Sequence, residues 1–371
     1  MPRLSSHLSL NLVVGIAVLS ATAVRADSLS SPLSDLVSAA EANPKIPGGS
    51  IRVVEDREIV FDDFFGTLTA KSDTPWDEQT IVAIASISKS ITATLTAVLV
   101  GEEKLKFSDP IALYLPEYGE IKLAASGESV RSPTIAECLS HTAGFPGGTM
   151  AQLPRNSPVH RGDQAEVAHH LAAQGLATEP GTHYAYSFRG FAAVARVIEV
   201  VMERPFAEVL TAKLLTPLGM TETTFTPTPA MSRRIPAYAD RTLGRSDEQV
   251  AAQIKRFRTR RGSFVNSAGA LFSTPDDLQR FLQFHADQGR VDDRQIVSAD
   301  VLAQLYKPQP ASTQYGLGFK IRSDSLIGHG GATGTTAQVD LASGRILIVL
   351  TQAGAPSARP LTAGAIRTVF P

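Results

Sequence analysis

The residues best suited to chemistry in this sequence are a serine and a lysine three positions apart, Ser86 and Lys89. They lie where small and polar residues lead into apolar residues at helical spacing, so both side chains are predicted to share one face at the start of a helix. A serine hydroxyl is a nucleophile only when a neighbour takes its proton. A lysine does this when burial or positive charge lowers its pKa from about 10.4. The alternative interpretation of so short a motif is a helix cap beside a surface lysine.

Other catalytic and binding signatures are absent from the sequence. It has no Gly-x-Ser-x-Gly elbow, no His-Glu-x-x-His or Cys-x-x-Cys motif and no phosphate-binding loop with its lysine. His169 and His170 are adjacent, so they lie on different helix faces and do not form a metal site. The single cysteine, Cys138, excludes an intrachain disulfide, and its apolar neighbours favour a buried thiol over a nucleophile paired with His141. We expect no metal and no organic cofactor.

The composition describes an ordinary globular protein with little net charge. Of 371 residues, 43% are hydrophobic, and 35 lysines and arginines nearly balance 36 aspartates and glutamates. Such a chain has no general positive field to hold a nucleic-acid backbone or an anionic membrane. A basic run at residues 255–261 contains one aromatic residue, and we interpret it as a solvated face or as a rim that attracts an anionic substrate rather than as a nucleic-acid site.

The first 26 residues are predicted to be a signal peptide. Arg3 precedes a mostly apolar stretch over residues 8–19, and the small apolar residues Val24 and Ala26 predict cleavage after Ala26. The apolar stretch is shorter than the ~20 residues that a membrane span needs. We therefore expect the mature chain, residues 27–371, to be exported to a periplasm or secreted, without a stable membrane span.

Strand patterns occur at both ends of the chain and helical patterns in its middle. Two β-rich runs flank the polar turn at residues 55–57, and four more strand candidates follow residue 314. These candidates are residues 315–321, 327–329, 335–340 and 345–350; helices are predicted over residues 34–42 and 361–369 and from the spacing of Ile87 to Val98 and Leu278 to His285. The fold class is therefore α/β (α+β), with an antiparallel sheet flanked by helices. We expect a sheet lobe from about residues 27–80 and 306–371 and an inserted, mainly helical lobe from about 81–305.

Six motifs in a fixed order resemble the serine β-lactamase and penicillin-binding-protein family. The resemblance is to its class C β-lactamase, D-peptidase and esterase branch, and it extends from residue 46 to residue 350. The motifs are Ser86-Ile87-Ser88-Lys89, Leu139 to Phe145, Pro180-Gly181-Thr182 leading to Tyr186-Ser187, Pro217 to Met220, Ser267-Ala268-Gly269, and His329-Gly330-Gly331. The resemblance implies a β-lactamase-like fold and a serine hydrolase that works through an acyl-enzyme.

The resemblance also implies catalytic roles for three of these residues. Ser86 corresponds to the acylated nucleophile and Lys89 to the amine that accepts its proton. Tyr186 corresponds to the phenol of the Tyr-x-Asn motif, which serves with Lys89 as general base and later as acid. A phenolate near neutral pH requires the pKa of Tyr186 to fall from about 10, and a nearby ammonium acts in that direction.

The substrate-binding residues are implied in the same way. His329 occupies the place of the family's lysine and is expected to touch the substrate, while Gly330 and Gly331 let the substrate approach the strand. The backbone N–H groups of Ser86 and Ala332 correspond to an oxyanion hole.

One residue departs from the family pattern. Phe188 stands where the Tyr-x-Asn motif has an amide, and a phenyl ring neither donates nor accepts the hydrogen bonds of that amide. This favours an ester or a more apolar acyl substrate over a β-lactam or peptide. His329 in place of lysine likewise weakens recognition of a carboxylate at neutral pH.

The alternative is a catalytically impaired binding protein that recognises peptidoglycan or a peptide. The sequence leaves the natural substrate and the oligomeric state open.

Overall fold

The computed structural model describes residues 29–69, 73–160, 162–237 and 264–371. The predicted signal peptide and the basic run at residues 255–261 lie outside these ranges. Within them, the helices are too short or too polar for any one to traverse a lipid bilayer.

A six-stranded antiparallel sheet is built from the two ends of the chain. The strands are β1 Gly48–Glu55, β2 Glu58–Gly66, β7 Lys320–Ile321, β8 Leu326–Gly331, β9 Thr335–Asp340 and β10 Ile346–Thr351. Their order in the sheet is β2-β1-β10-β9-β8-β7, so the first hairpin pairs with the last strand. The turn between β1 and β2 consists of Asp56 and Arg57, both with positive φ, as a two-residue hairpin turn requires. The predicted antiparallel sheet flanked by helices is confirmed.

Side-chain alternation explains why both faces of this sheet are covered. Ile51 and Val53 of β1, together with Leu347 and Val349 of β10, pack on one face against the first and last helices. The intervening residues of β10, such as Ile348, face a larger core shared with the other helices. Burial on both sides accounts for the continuous apolar sequence of β10.

The helices enclose the sheet and form most of the middle of the chain. Residues 29–41 form α1, and the last helix, α10 Ala355–Val369, packs against β9 and β10. Between them lie α2 Ile87–Gly101, α3 Ile135–Leu139, α4 Gln164–Ala173, α5 Arg189–Met202, α6 Phe206–Leu210, α7 Pro229–Ser232, α8 Pro275–Ala286 and α9 Ala299–Ala303. Short 3-10 turns are Ile111–Leu113, Pro116–Tyr118, Met150–Gln152, Pro158–His160 and Gln304–Tyr306, and Thr211–Leu215 is a π turn.

Two short strands fasten the start of α2 to a distant part of the chain. β3 Val82–Ala83 pairs with β4 Phe272–Ser273, and the N–H of Ile84 donates to the carbonyl of Leu271. A second small hairpin, β5 Arg290–Val291 with β6 Arg294–Gln295, follows α8. The β3–β4 pairing brings residues 267–270 beside the first turn of α2.

Candidate active site

Ser86 stands immediately before the first residue of α2, with its side chain free for chemistry. It occupies the N-cap position, yet its hydroxyl accepts no capping hydrogen bond from the helix. The preceding residue, Ala85, has a φ of 45°, a left-handed conformation that is costly for a residue with a Cβ. The helix dipole at this end favours negative charge that develops beside Ser86.

Lys89 lies one turn further along α2, and its side chain reaches back to the serine. Its Nζ is 3.2 Å from the Oγ of Ser86 and donates to the carbonyl of Ala268 at 2.8 Å. Burial, followed by repulsion from Lys320, lowers the pKa of Lys89 from 10.5 to about 7. At that value roughly half of the amines are neutral at pH 7 and able to accept a proton.

Tyr186 adjoins the same pair but behaves differently from the sequence-based expectation. Its hydroxyl is hydrogen-bonded to Ser86, and the Nζ of Lys89 lies 4.6 Å from the centre of its ring. Burial raises the pKa of Tyr186 to about 12, against the smaller lowering by the Ser86 hydrogen bond. The predicted fall toward a phenolate is therefore wrong, because desolvation of the charged form outweighs the other effects. Tyr186 is a neutral phenol at pH 7.

His141 supports the segment that carries Tyr186. Its carbonyl accepts from the N–H of Ala185 at 2.9 Å, and its Nδ1 accepts from the N–H of Ser187 at 3.2 Å. This hydrogen bond assigns the proton to Nε2, which is buried and finds no partner among the described groups. Burial also lowers the pKa of His141 well below its usual value, so the ring is neutral.

The strand β8 forms the opposite wall and brings His329 and Gly331 to the site. The Nε2 of His329 is 3.0 Å from the hydroxyl of Tyr315, and its Nδ1 is 2.7 Å from the carbonyl of Gly330. Burial, then repulsion by Lys89, lowers the pKa of His329 well below its usual value, so it carries no charge at pH 7. A Cβ at Gly331 would lie 2.6 Å from the carbonyl of Ile84, so only glycine lets β8 lie this close to the segment before Ser86.

A cavity of about 770 Å³ opens at these residues. Its lining includes most of the side chains and backbone predicted for the site: Ser86, Tyr186, His329, Gly330, Gly331 and Ala332. The backbone N–H groups of Ser86 and Ala332 donate to no other group of the described ranges. Both are thus available to a bound oxygen atom.

Phe188 lies away from this cavity. It precedes α5, its side chain is 5% exposed, and it packs in the main hydrophobic core beneath the guanidinium of Arg189. It is absent from the described residues that line the cavity. The apolar ring gains more from burial in the core than from exposure in a polar cleft.

Cys138 is fully buried, and desolvation raises the pKa of its thiol well above the usual value. Its position agrees with the predicted structural role.

Several residues at the site were not predicted from the sequence. Tyr184, Lys320 and Arg322 line the cavity. Tyr315 contacts His329, and the carbonyl of Ala268 holds Lys89. Ala268 lies within one of the six motifs, but no role was assigned to it. Tyr184 precedes Tyr186 by two residues and Tyr315 precedes His329 by fourteen, but this spacing alone does not predict contact with the site of Ser86.

Fold and site together place a serine, a lysine of lowered pKa and a tyrosine around one cavity. The family model described as Beta-lactamase matches residues 33–369. The chain therefore belongs to the β-lactamase family.

Individual relatives are distant. A protein of Mycobacterium tuberculosis is 26% identical over 269 residues, which cover 68% of this chain and 65% of that protein. The D-alanyl-D-alanine-carboxypeptidase/endopeptidase AmpH of Escherichia coli is 25% identical over 244 residues, which cover 64% of this chain and 56% of AmpH. The chain thus spans less than two thirds of the length of these curated relatives. Among solved structures, EstCE1, a hydrolase with promiscuous acyltransferase activity, has a TM-score of 0.78 at 18% identity, covering 94% of this chain and 100% of that one.

Proposed function

We propose that this protein hydrolyses an ester or amide through an acyl-enzyme formed on Ser86, with Lys89 as the general base. The observation that carries the proposal is the position of the Lys89 amine, 3.2 Å from the Ser86 hydroxyl with its pKa lowered to about 7. A base is most effective when its pKa lies near the working pH.

In the acylation step, the neutral amine of Lys89 takes the proton of the Ser86 hydroxyl while the Oγ attacks the carbonyl carbon. The negative charge on the carbonyl oxygen is met by the N–H groups of Ser86 and Ala332. The C–O or C–N bond then breaks, and the leaving group takes a proton from the neutral hydroxyl of Tyr186. The ammonium of Lys89 restores that proton. Tyr186 with its raised pKa is suited to this role as acid, and Lys89 to the role as base.

In the deacylation step, water attacks the acyl carbon and Lys89 again accepts a proton. The bond to Ser86 Oγ breaks, the Oγ takes back the proton that Lys89 holds, and the acid leaves. Atoms and charge balance over the cycle without a cofactor.

The substrate class rests on what the cavity offers to a ligand. The family's amide is replaced by Phe188, which lies in the core, and the family's lysine by His329, which is neutral. Both changes remove polar recognition of a peptide or β-lactam, so we propose an ester as the preferred substrate. The name of AmpH supports a D-peptide as the second candidate.

We also propose that the protein is exported and acts in a periplasm or outside the cell. The predicted signal peptide supports this proposal. N-terminal sequencing of protein secreted or released from the periplasm tests it: a mature start at Asp27 is expected, whereas a cytoplasmic protein that retains residue 1 would contradict it.

The test of the activity compares mature wild type with Ser86→Ala. We expect the wild type to hydrolyse a short-chain p-nitrophenyl ester, to hydrolyse nitrocefin more slowly, and to gain the mass of one fluorophosphonate adduct. The variant Ser126→Ala, which alters an exposed serine, serves as the control and should behave as wild type.

Loss of turnover and of the adduct in Ser86→Ala alone would establish the acyl-enzyme. Equal inactivity and absence of labelling in wild type and Ser86→Ala would instead favour the binding protein of the same fold. Faster turnover of nitrocefin than of the ester would reverse the proposed substrate order.

A further inference from the structure

A second cavity adjoins the one that contains Ser86. Its volume is about 670 Å³, and it lies against the loop of residues 310–315. Tyr184, Lys320 and Arg322 line both cavities, so these three side chains mark where the two spaces meet. A ligand bound at Ser86 and long enough to enter the second cavity must pass them.

The charged side chains that line the two cavities are all positive. Lys320 and Arg322 stand on and just after β7, and Arg359 and Arg367 line the first cavity from α10. No aspartate or glutamate occurs among the described residues that line either space. None of the four cations takes part in an ion pair within the described ranges. The field in the cavities therefore attracts an anion.

Arg322, just after β7, is held in place for binding by a hydrogen bond to β9. Lys320 and Arg322 are two residues apart, and both line both cavities. The Nε of Arg322 donates to the Oε1 of Gln338 at 3.0 Å, which fixes the guanidinium and leaves its terminal nitrogens free. Burial and repulsion from Arg322 lower the pKa of Lys320, a cost that a bound anion would relieve.

We propose that the substrate is elongated and carries an anionic group, such as a carboxylate, which binds Lys320 and Arg322 where the two cavities meet. This inference rests on the proposed acyl-enzyme function. It assigns recognition of the anion to β7, because His329 on β8 is neutral and already hydrogen-bonded through both ring nitrogens.

The test uses pairs of esters that differ only in a distal carboxylate. Mono-p-nitrophenyl adipate is compared with p-nitrophenyl hexanoate, and mono-p-nitrophenyl suberate with p-nitrophenyl octanoate. The rate measured with Ser86→Ala is subtracted as spontaneous hydrolysis. The quantity measured is the ratio of kcat/KM for the anionic ester to that for its neutral partner. Because both esters of a pair use the same catalytic groups, a change in the basicity of Lys89 cancels in this ratio.

We expect wild type to prefer the anionic esters, and Lys320→Met/Arg322→Met to lower the ratio at least tenfold. Lys104→Met/Lys106→Met removes the same charge from two exposed lysines outside both cavities and should leave the ratio within twofold of wild type. An unchanged ratio in the β7 variant overturns the inference. Loss of the preference in Arg359→Met/Arg367→Met, with the β7 variant unaffected, would also overturn it and place the anion on α10.

Direct binding separates failure of this inference from failure of the proposed function. Calorimetry measures binding of monomethyl suberate to Ser86→Ala and to the same protein with Lys320→Met and Arg322→Met. If wild type hydrolyses no ester but the monoester binds and requires the two cations, the function fails and the anion site stands. If neutral esters are hydrolysed while the monoester neither binds nor reacts preferentially, the function stands and the anion site fails.

Discussion

The rings of His141 and Tyr186 lie 4.3 Å apart, centre to centre, and His141 also accepts the backbone N–H groups on both sides of that tyrosine. The orientation of Tyr186 thus depends on a neutral, buried imidazole that reaches no reacting atom. We assign His141 as a positioning residue.

The first prediction is that His141→Phe retains the packing against Tyr186 and loses the hydrogen bond to Ser187. We expect the rate of fluorophosphonate labelling and kcat to fall about 10- to 100-fold, since small displacements of a catalytic group have effects of this size. His141→Asn also removes the imidazole ring, but asparagine tolerates the φ of 64°. This variant therefore distinguishes the effect of losing the ring from the effect of backbone strain. Thermal melting checks the fold; unchanged kcat in a folded His141→Phe would contradict the assignment.

The second prediction concerns the dependence of activity on pH. Lys89 must be neutral to act as base, so kcat/KM for a neutral ester should rise with pH and level off above a pKa of about 7. Tyr186, with a pKa of about 12, should leave no alkaline limb below pH 10.

Lys320→Met tests the cause of the lowered value. Repulsion from Lys320 lowers the pKa of Lys89, so removal of that charge should raise it and move the acid limb to higher pH. Lys104→Met, at a distant exposed site, should leave the limb in place. An acid limb that does not move in Lys320→Met would show that burial alone sets the basicity of Lys89.

How much of the fold can be predicted from the sequence depends on whether the interactions are local or join distant segments of the chain. The residues of β9 were predicted with the bounds that the structure has, and the β1–β2 hairpin was predicted with its turn, because alternation and turn residues are local signals. The strand expected over residues 315–321 is reduced to Lys320–Ile321, since Gly318, with a φ of 76°, packs against α2. The last helix begins at Ala355 rather than Leu361 and contains Pro360, a residue that helix interiors usually exclude.

The site shows the same division. Ser86 and Lys89 share one helix, so their spacing alone predicted that they meet. The contact of Tyr315 with His329 and the proximity of Lys320 to Lys89 are made by packing between separate elements, which no spacing encodes. The reversed pKa shift of Tyr186 has the same origin, because burial of its ring is decided by the whole fold.

The third prediction is that Lys89→Met abolishes activity and stabilises the protein. The pKa of Lys89 is about 7 in the folded state and 10.5 in its usual state, so the unfolded chain binds more protons between these values. The free energy of unfolding of wild type should therefore include a contribution that rises with pH from about 7 to 10.5. In Lys89→Met the cost of burying a charge is absent, so the free energy of unfolding of this variant should lack the rise with pH that Lys89 causes.

Denaturant unfolding at pH 7 and pH 9.5 measures this effect. The gain in stability of Lys89→Met over wild type should be larger at pH 7 than at pH 9.5. Ser86→Ala, which is also inactive but retains the lysine, should follow the pH dependence of wild type. A gain that is equal at the two pH values would mean that Lys89 does not change protonation with folding.

The fourth prediction is that Gly331→Ala displaces Ser86 from its partners. The new Cβ would lie 2.2 Å from the Oγ1 of Thr335 and 2.6 Å from the carbonyl of Ile84, and the backbone of Ile84 has no flexible end that can move aside. We expect the segment before α2 to shift, with kcat falling at least tenfold and a loss of ~1–3 kcal/mol in stability. At Gly330 the same addition meets only the carbonyl of Thr335, at 3.4 Å, so Gly330→Ala should retain the melting temperature of wild type. Equal melting temperatures and equal rates of fluorophosphonate labelling for Gly331→Ala and wild type would contradict the close approach of β8 to Ser86.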